Sequence, residues 1–229
     1  SVQARQLLSL QMGDEIQAIN PGMRLRRWFE PGLGWVELGV DWDTLAARLR
    51  ERPPVFCRHV CPIQTHVLLE QAMTDLDELA KASRQFVPLL NTTQPFAVQT
   101  RLVGEGWPYA RYDINERLSQ VLTESGALLD VRRPEQILSV VLTPGEGYLG
   151  LSYAADNLSD WAGGVRRFKW EQDQISRAEF KLLEALEVFK LHVPADGIAL
   201  DLGAAPGGWT RIVRQHGMQV TAVDPGDLH

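Results

Sequence analysis

The chain has 229 residues, a length that fits one large domain or two small ones. Hydrophobic residues make up 45% and charged residues 23%, as in ordinary soluble globular proteins, and no stretch approaches the ~18 apolar residues of a membrane span. The net charge of −6 excludes a globally basic nucleic-acid-binding protein, so any nucleic-acid surface must be local. Charged side chains within the first twenty residues argue against a signal peptide. We therefore expect a cytoplasmic protein with no membrane partner.

The first part of the chain predicts a mixture of helices and strands. A loosely helical pattern from Ala4 to Ile19 ends at the turn signal Asn20-Pro21-Gly22. Two short strands are predicted next, over Arg24–Phe29 and Gly34–Val40. A short helix over Trp42–Arg50 follows them and is closed by two prolines.

The middle of the chain continues in the same mixed style. A strand is predicted over Val55–Val60, and a long helix over Val67–Phe86, which contains neither proline nor glycine. A helix over Tyr112–Gly126 is predicted to begin at the N-cap Asp113 and to stop at Gly126. Three apolar segments around that helix are predicted strands: Pro95–Val103, Ile137–Leu142 and Gly147–Tyr153.

A polar, glycine-containing segment from Asp156 to Asp173 has no clear period, which indicates a linker. After it, Ser176 and Glu179 form a capping-box pattern at the start of a helix that is predicted to reach Leu191. The remaining elements are predicted in the order strand, helix and strand: Gly197–Leu202, Trp209–His216 and Gln219–Val223, with Gly217 ending the helix. This order is a βαβ unit, so the two strands should be parallel.

The loop "DLGAAPGGWT" joins the first of these strands to the helix, at the place where ligands bind open α/β sheets. A phosphate-binding P-loop would end in Gly-Lys-Ser/Thr, which this loop lacks, and Gly203-Ala204-Ala205 breaks the dinucleotide pattern. S-adenosylmethionine has no phosphate, and it fits better. Asp201 could face its amino or sulfonium side, and Asp224 its ribose hydroxyls. A tight structural turn without a ligand is the alternative.

The same loop is similar to the S-adenosylmethionine motif of the FtsJ-like RNA ribose 2′-O-methyltransferases. The upstream stretch "SRAEFKLLEAL" resembles the S-R-A-x-x-K-L-x-E stretch of that family, and the resemblance covers roughly Asp173 to Asp224. It implies S-adenosylmethionine as cofactor, and it assigns Lys181 to the catalytic set. The alternative for Lys181 is a solvated lysine paired with Glu184. The implied cofactor-binding residues are Asp201, Gly203, Ala204, Ala205, Pro206, Gly207, Gly208, Trp209 and Asp224.

The family's catalytic aspartate, second lysine and glutamate lie beyond the second strand, where this chain ends. The chain also begins at Ser1 without an initiator Met. We therefore expect residues 176–229 to be the first part of a methyltransferase domain, and the chain by itself to be an inactive fragment.

The segment from Gln136 to Trp170 resembles the end of the THUMP region and the linker of the RlmM-like group, which methylates 23S ribosomal RNA. This implies a ferredoxin-like domain over residues 1–90, a THUMP-like RNA-binding domain over 91–155 and a linker over 156–175. The expected fold class is α/β: an α+β N-terminal part, then the start of a Rossmann-like methyltransferase domain. RNA is the implied partner, and the sequence does not reveal the oligomeric state.

One local basic cluster fits an RNA partner. Arg166, Arg167 and Lys169 alternate with Phe168 and Trp170, so that cations could contact phosphates while aromatic rings stack on bases. A solvated strand edge with two buried aromatic side chains is the alternative. A second and weaker cluster contains Arg24, Arg26, Arg27 and Trp28.

The stretch "CRHVCPIQTH" does not predict a metal site. Its spacing is not that of a C-x-x-C pair, and on a strand Cys57, His59 and Cys61 would share one face as buried side chains. Two further functions stay open at this point: a non-catalytic RNA-binding protein, and a nucleotide-dependent oxidoreductase, against which the loop pattern argues.

Overall fold

The structure is a computed structural model that describes residues 12–164, 166, 168, 170 and 173–228. The chain divides into a first unit, Ser1–Val165, and a second unit, Arg166–His229. The predicted mixed α/β class is confirmed. Within the described ranges, no helix is both long and apolar enough to cross a membrane.

The first unit begins with a helix and a hairpin. Helix α1 covers the described residues 12–19, and strands β1 (Arg24–Glu30) and β2 (Leu33–Glu37) pair antiparallel, as the sequence predicts. Helix α2 (Trp42–Glu51) follows, and Asp41 caps it by accepting a hydrogen bond from the Thr44 amide at 2.7 Å. A small apolar cluster holds these elements together: Ile16, Ile19, Met23, Leu45, Leu49 and Cys57.

A four-stranded sheet forms the rest of the first unit. Its strands are β3 (Thr65–Leu68), β4 (Phe96–Leu102), β5 (Gln136–Thr143) and β6 (Glu146–Tyr153), in the order β3-β6-β5-β4. Strands β4 and β5 are parallel, and the other neighbours are antiparallel. Helices α3 (Asp75–Ser83) and α4 (Arg111–Leu122) contribute to the same apolar core as the sheet.

The sequence prediction fails between α2 and α3. Residues 55–60 do not form a strand; β3 lies further along the chain. Helix α3 begins at Asp75 and not at Val67. The buried Asp75 carboxylate accepts hydrogen bonds from the amides of Glu70 (2.9 Å) and Ala72 (3.2 Å). These bonds stabilise a turn where an uninterrupted helix is predicted.

Helix α4 shows a smaller difference at its start. It begins at Arg111, and Asp113 is its third residue, not its N-cap. The Asp113 carboxylate nevertheless caps the helix by accepting a hydrogen bond from the Ala110 amide at 2.7 Å. Gly126, with φ of 88°, ends the element after a short 3-10 turn, as predicted.

The second unit contains the predicted βαβ arrangement. Helix α5 (Ala178–Val188) precedes strand β7 (Ile198–Leu202), helix α6 (Gly208–Gln215) and strand β8 (Gln219–Val223). Strands β7 and β8 pair in parallel, with Ile198 opposite Gln219. Helix α5 ends three residues before the predicted Leu191, and Lys190 adopts a positive φ of 50°.

The described residues between Asp156 and Ile175 contain no α-helix and no β-strand, only short 3-10 turns. The proposed domain assignments over residues 1–90, 91–155 and 156–175 stay predictions.

Candidate functional site

The loop between β7 and α6 keeps its backbone open on one side. Gly203 has φ of 78°, and a β-carbon at this position would meet no atom within 4 Å. Its amide donates to the Val223 carbonyl at 2.9 Å, which ties the start of the loop to the end of β8. Gly207 has φ of 111°, and the Ala205–Pro206 peptide bond is cis. A ligand can therefore approach the backbone at Gly203.

Gly208, a predicted cofactor-binding residue that lines the cleft, also allows two helices to approach closely. A β-carbon here would lie 2.6 Å from Ser176 Oγ and 3.2 Å from Glu179 Cγ. The missing side chain lets the first turn of α6 approach the start of α5. The structure thus separates one glycine that leaves open space from one that permits close packing.

A cleft of about 220 Å³ lies between the first turn of α5 and this loop. Its lining residues are Ala178, Lys181, Asp201, Leu202, Gly203, Ala204, Ala205, Pro206, Gly208 and Trp209. The cleft is smaller than the ~300–1,000 Å³ of a complete ligand pocket.

The two carboxylates at the ends of the parallel strands are both engaged by the protein. Asp201 lines the cleft, and its Oδ2 accepts a hydrogen bond from Thr210 Oγ1 at 2.6 Å. Asp224 is not among the lining residues; it accepts from the amides of Ala205 (3.0 Å) and Gly226 (2.7 Å). An ionised carboxylate has about four acceptor positions, so each of them can still accept a hydrogen bond from a ligand.

Lys181 is exposed and lines the cleft opposite the glycine loop. It forms no ion pair with Glu184 in the part of the chain that the structure describes. The structure therefore brings Lys181 together with most of the predicted cofactor-binding residues, and leaves Gly207 and Asp224 just outside the lining.

Glu179 is a site residue whose main partner the sequence does not reveal. As its capping-box pattern predicts, Oε1 accepts hydrogen bonds from the amides of Ile175 (2.7 Å) and Ser176 (3.3 Å). Its Oε2 also accepts a hydrogen bond from Arg211 Nη1 at 2.7 Å, and only 1% of the residue is exposed. The capping pattern could have identified the acidic residue, but not its partner on another helix.

A second contact joins the same two elements. Trp209 Nε1 donates to the Ala178 carbonyl at 2.8 Å, so the indole connects the end of the loop to the first turn of α5. Trp209 also lines the cleft, and it is 45% exposed. Nearly half of Trp209 is thus accessible while its N–H group is already bonded.

The predicted RNA-contacting cluster is only partly described, because Arg167 and Lys169 lie outside the described residues. Arg166 pairs with Glu187 of α5 at 2.9 Å and lies 5.0 Å from the centre of the Phe168 ring. Phe168 in turn stacks on Phe180 of α5, at 5.5 Å between ring centres. Trp170 meets Phe180 edge-on and is half-exposed.

In the second basic cluster, Arg26 pairs with Glu37, and Arg27 with Glu146 at 2.8 Å. Both arginines are thus held by carboxylates of the first unit.

The two cysteines do not lie on a strand, so the predicted shared strand face is wrong. Cys57 Sγ donates to the His59 carbonyl at 3.5 Å, and burial raises the pKa of both Cys57 and Cys61 to about 11. No group of three metal-ligating side chains exists among the residues that the structure describes.

Comparison with known proteins confirms the family resemblance of the loop and of helix α5. Residues 174–229 match the family model described as FtsJ-like methyltransferase. The chain is also 38% identical over 117 residues to ribosomal RNA large subunit methyltransferase M of Pseudomonas syringae pv. syringae, which covers 48% of this chain and 32% of the relative. The protein of the same name from Edwardsiella ictaluri is 31% identical over 204 residues, or 82% of this chain and 52% of the relative.

The chain thus spans about a third to a half of the length of these relatives. Among solved structures, TrmN from Thermus thermophilus is 17% identical with a TM-score of 0.49, over 96% of this chain and 63% of that one. Through an FtsJ-like methyltransferase region at residues 174–229, the chain is similar to large-subunit ribosomal RNA methyltransferases.

Proposed function

We propose that the chain contributes the cofactor-binding front of an RNA ribose 2′-O-methyltransferase that uses S-adenosylmethionine and acts on 23S ribosomal RNA. The observation that carries the proposal is the cleft in which Lys181 faces the loop from Asp201 to Trp209. A cytoplasmic location goes with it, since the relatives named for ribosomal RNA are bacterial proteins.

The residues present suit this cofactor. Gly203 leaves space for the ligand beside the backbone, and the cleft is also lined by Asp201, whose carboxylate can accept a hydrogen bond from an ammonium group. Asp224, held beside Ala205, is suited to accept hydrogen bonds from ribose hydroxyls. The loop has no lysine to hold a phosphate, which disfavours a nucleoside triphosphate.

When bound, S-adenosylmethionine supplies the methyl group. A ribose hydroxyl is a weak nucleophile, so the protein must align it and assist the departure of its proton. Lys181 is the cleft residue that could do so, because its amine is exposed on the wall opposite the loop. Its cationic form would also stabilise negative charge that develops on the hydroxyl oxygen.

The cofactor proposal is tested by calorimetric titration with S-adenosylmethionine. The titration uses this chain and, in parallel, the product of the gene's whole reading frame, because the cleft is smaller than a complete pocket. Asp224→Ala should weaken binding by about 1–3 kcal/mol through lost hydrogen bonds. Asp227→Ala removes an exposed carboxylate three residues away and should leave the affinity unchanged. Equal affinities for the wild type and Asp224→Ala would remove Asp224 from the site.

We also propose that Arg166, Arg167 and Lys169 contact RNA phosphates. Filter binding to a 23S ribosomal RNA fragment over a range of salt concentrations tests this. Replacing all three residues with alanine should make the slope of log affinity against log salt concentration less steep, by about 0.7–0.9 for each lost phosphate contact. Arg132→Ala together with Arg133→Ala, at two exposed positions of the first unit, serves as the control. An unchanged slope in the triple variant would place the RNA surface elsewhere.

A further inference from the structure

We propose that Glu179 and Arg211 form a positioning pair that holds Lys181 at a fixed distance from the cofactor loop. The inference rests on the proposed function. It assigns to the pair an indirect role in methyl transfer, because neither residue contacts the substrate. Glu179 lies on α5, which carries Lys181, and Arg211 lies on α6, which follows the loop.

The Glu179 carboxylate connects three parts of the second unit. One oxygen holds the chain that leads into α5, through the amides of Ile175 and Ser176. The other oxygen holds α6 through Arg211. Because Glu179 is 1% exposed and the Arg211 side chain 15% exposed, water hardly competes for these bonds. The two helices are therefore tied together at one buried point.

This point lies directly behind the cleft. Ala178 and Lys181, which flank Glu179 on α5, line one wall, while Gly208 and Trp209 at the start of α6 belong to the other. The Trp209 indole bonds to the Ala178 carbonyl, and Gly208 packs against Ser176 and Glu179. The contact between Glu179 and Arg211 thus connects the wall of the cleft that carries Lys181 to the wall formed by the loop and the start of α6.

Stability alone is a weak explanation for such a pair. Replacing a buried ion pair by apolar side chains of similar volume is often neutral or stabilising. The ion pair instead restricts the relative position of the two side chains, because charge-assisted hydrogen bonds hold donor and acceptor in a narrow range of geometries. Methyl transfer benefits from this restriction, since a misplacement of about 1 Å can cost on the order of 100-fold in rate.

The test uses the product of the whole reading frame and measures S-adenosylmethionine affinity together with kcat and KM for methyl transfer to ribosomal RNA. Glu179→Gln keeps an oxygen for the two amides but removes the charge facing Arg211, and Arg211→Gln removes the opposite charge. Each should lower kcat by about 10–100-fold, with a smaller change in cofactor affinity. The double variant should be little worse than either single one, because both break the same link. Arg211→Lys, which keeps the charge, should restore part of the rate.

Two controls separate positioning from stability. Arg214→Gln removes an exposed charge from α6 and should leave kcat unchanged. Ile212→Val loosens the packing of the buried Ile212 on α6 and lowers the melting temperature, yet it should leave kcat near the wild-type value well below that temperature.

A second readout does not depend on turnover. S-adenosylmethionine should slow the acetylation of Lys181 by acetic anhydride, measured by mass spectrometry, in the wild type and in Arg214→Gln. The protection should weaken in Glu179→Gln and in Arg211→Gln.

A wild type that does not bind S-adenosylmethionine would overturn the proposed function. A wild type that binds it, with kcat and Lys181 protection unchanged in both pair variants, would overturn the positioning role alone.

Discussion

The four-stranded sheet of the first unit and the two-stranded sheet of the second unit contain similar apolar strands but bury them very differently. In the first unit, Leu138 and Leu142 of β5 are completely buried in the apolar core to which α3 and α4 also contribute. In the second unit, Ile198, Leu200 and Leu202 of β7 are 82%, 62% and 70% exposed. An apolar strand therefore predicts a sheet, but the layer that covers it decides how much each side chain contributes to stability.

The largest expected difference between the sheets concerns the same substitution made in each. Leu138→Ala removes a completely buried side chain and should lower the free energy of unfolding of the first unit by about 2–5 kcal/mol. Leu200→Ala removes an exposed side chain and should change that of the second unit by less than about 0.5 kcal/mol. Hydrogen exchange of peptides from each unit, followed through urea titration, measures the two effects separately. A large loss in the Leu200→Ala variant would mean that β7 is covered in solution.

The next contrast concerns the reactivity of cysteine side chains in the two units. Burial raises the pKa of the Cys57 and Cys61 thiols to about 11, whereas an ordinary cysteine has a pKa of about 8.5. At pH 7.5 both should react with iodoacetamide on the order of 100-fold more slowly than a cysteine introduced on β7 by Ile198→Cys. Mass spectrometry of the labelled peptides gives the rates. Equal rates at all three positions would show that the first unit opens readily.

A buried polar contact offers a smaller test of the first unit. Tyr109 Oη donates to Asp75 Oδ2 at 2.6 Å, and both residues are at most 5% exposed. Tyr109→Phe should cost about 1–3 kcal/mol of unfolding free energy, because the buried Asp75 Oδ2 loses one of its two donors and keeps only the Ala72 amide. Tyr153→Phe, at a half-exposed tyrosine, should cost almost nothing in the same urea titration. Similar losses would indicate that the Asp75 contact is replaced by water.

The smallest expected effect is the contribution of Glu146 to the stability of the first unit, which depends on pH. The hydrogen bond from Tyr148 lowers the pKa of Glu146 most, and the nearby charges of Arg27 and His66 lower it further, while partial burial opposes them. A carboxyl group whose pKa is lowered by folding stabilises the protein above its unfolded pKa, and that contribution is lost as pH falls through the folded pKa. Glu146→Gln should therefore reduce stability at pH 7 by less than about 1 kcal/mol, since the group is partly solvated, and the difference should vanish under strong acid. A difference that persists there would have a cause other than the charge.

The predictions from sequence succeed where neighbouring residues determine the structure. Strands β7 and β8 and helix α6 follow from short apolar segments bounded by glycines, and their parallel pairing follows from the order of elements. Strand β3 was not predicted, because its four residues are set by pairing with the distant β6. The contact between Glu179 and Arg211 escaped prediction for the same reason, since it depends on how two helices pack.

The register of the four-stranded sheet also has a kinetic consequence. Strands β5 and β6 are joined by only two residues, Pro144 and Gly145, and Gly145 has the positive φ that such a turn favours. The pairing of β4 with β5 must first close a loop that contains α4. The pairing of β3 with β6 joins residues that lie even further apart in the sequence, such as Thr65 and Leu149. Because the entropic cost of closing a loop grows with its length, we expect the β5–β6 hairpin to form early, with β3 pairing last. In a φ-value analysis, β5 and β6 would then be structured in the transition state while β3 still resembles the unfolded chain.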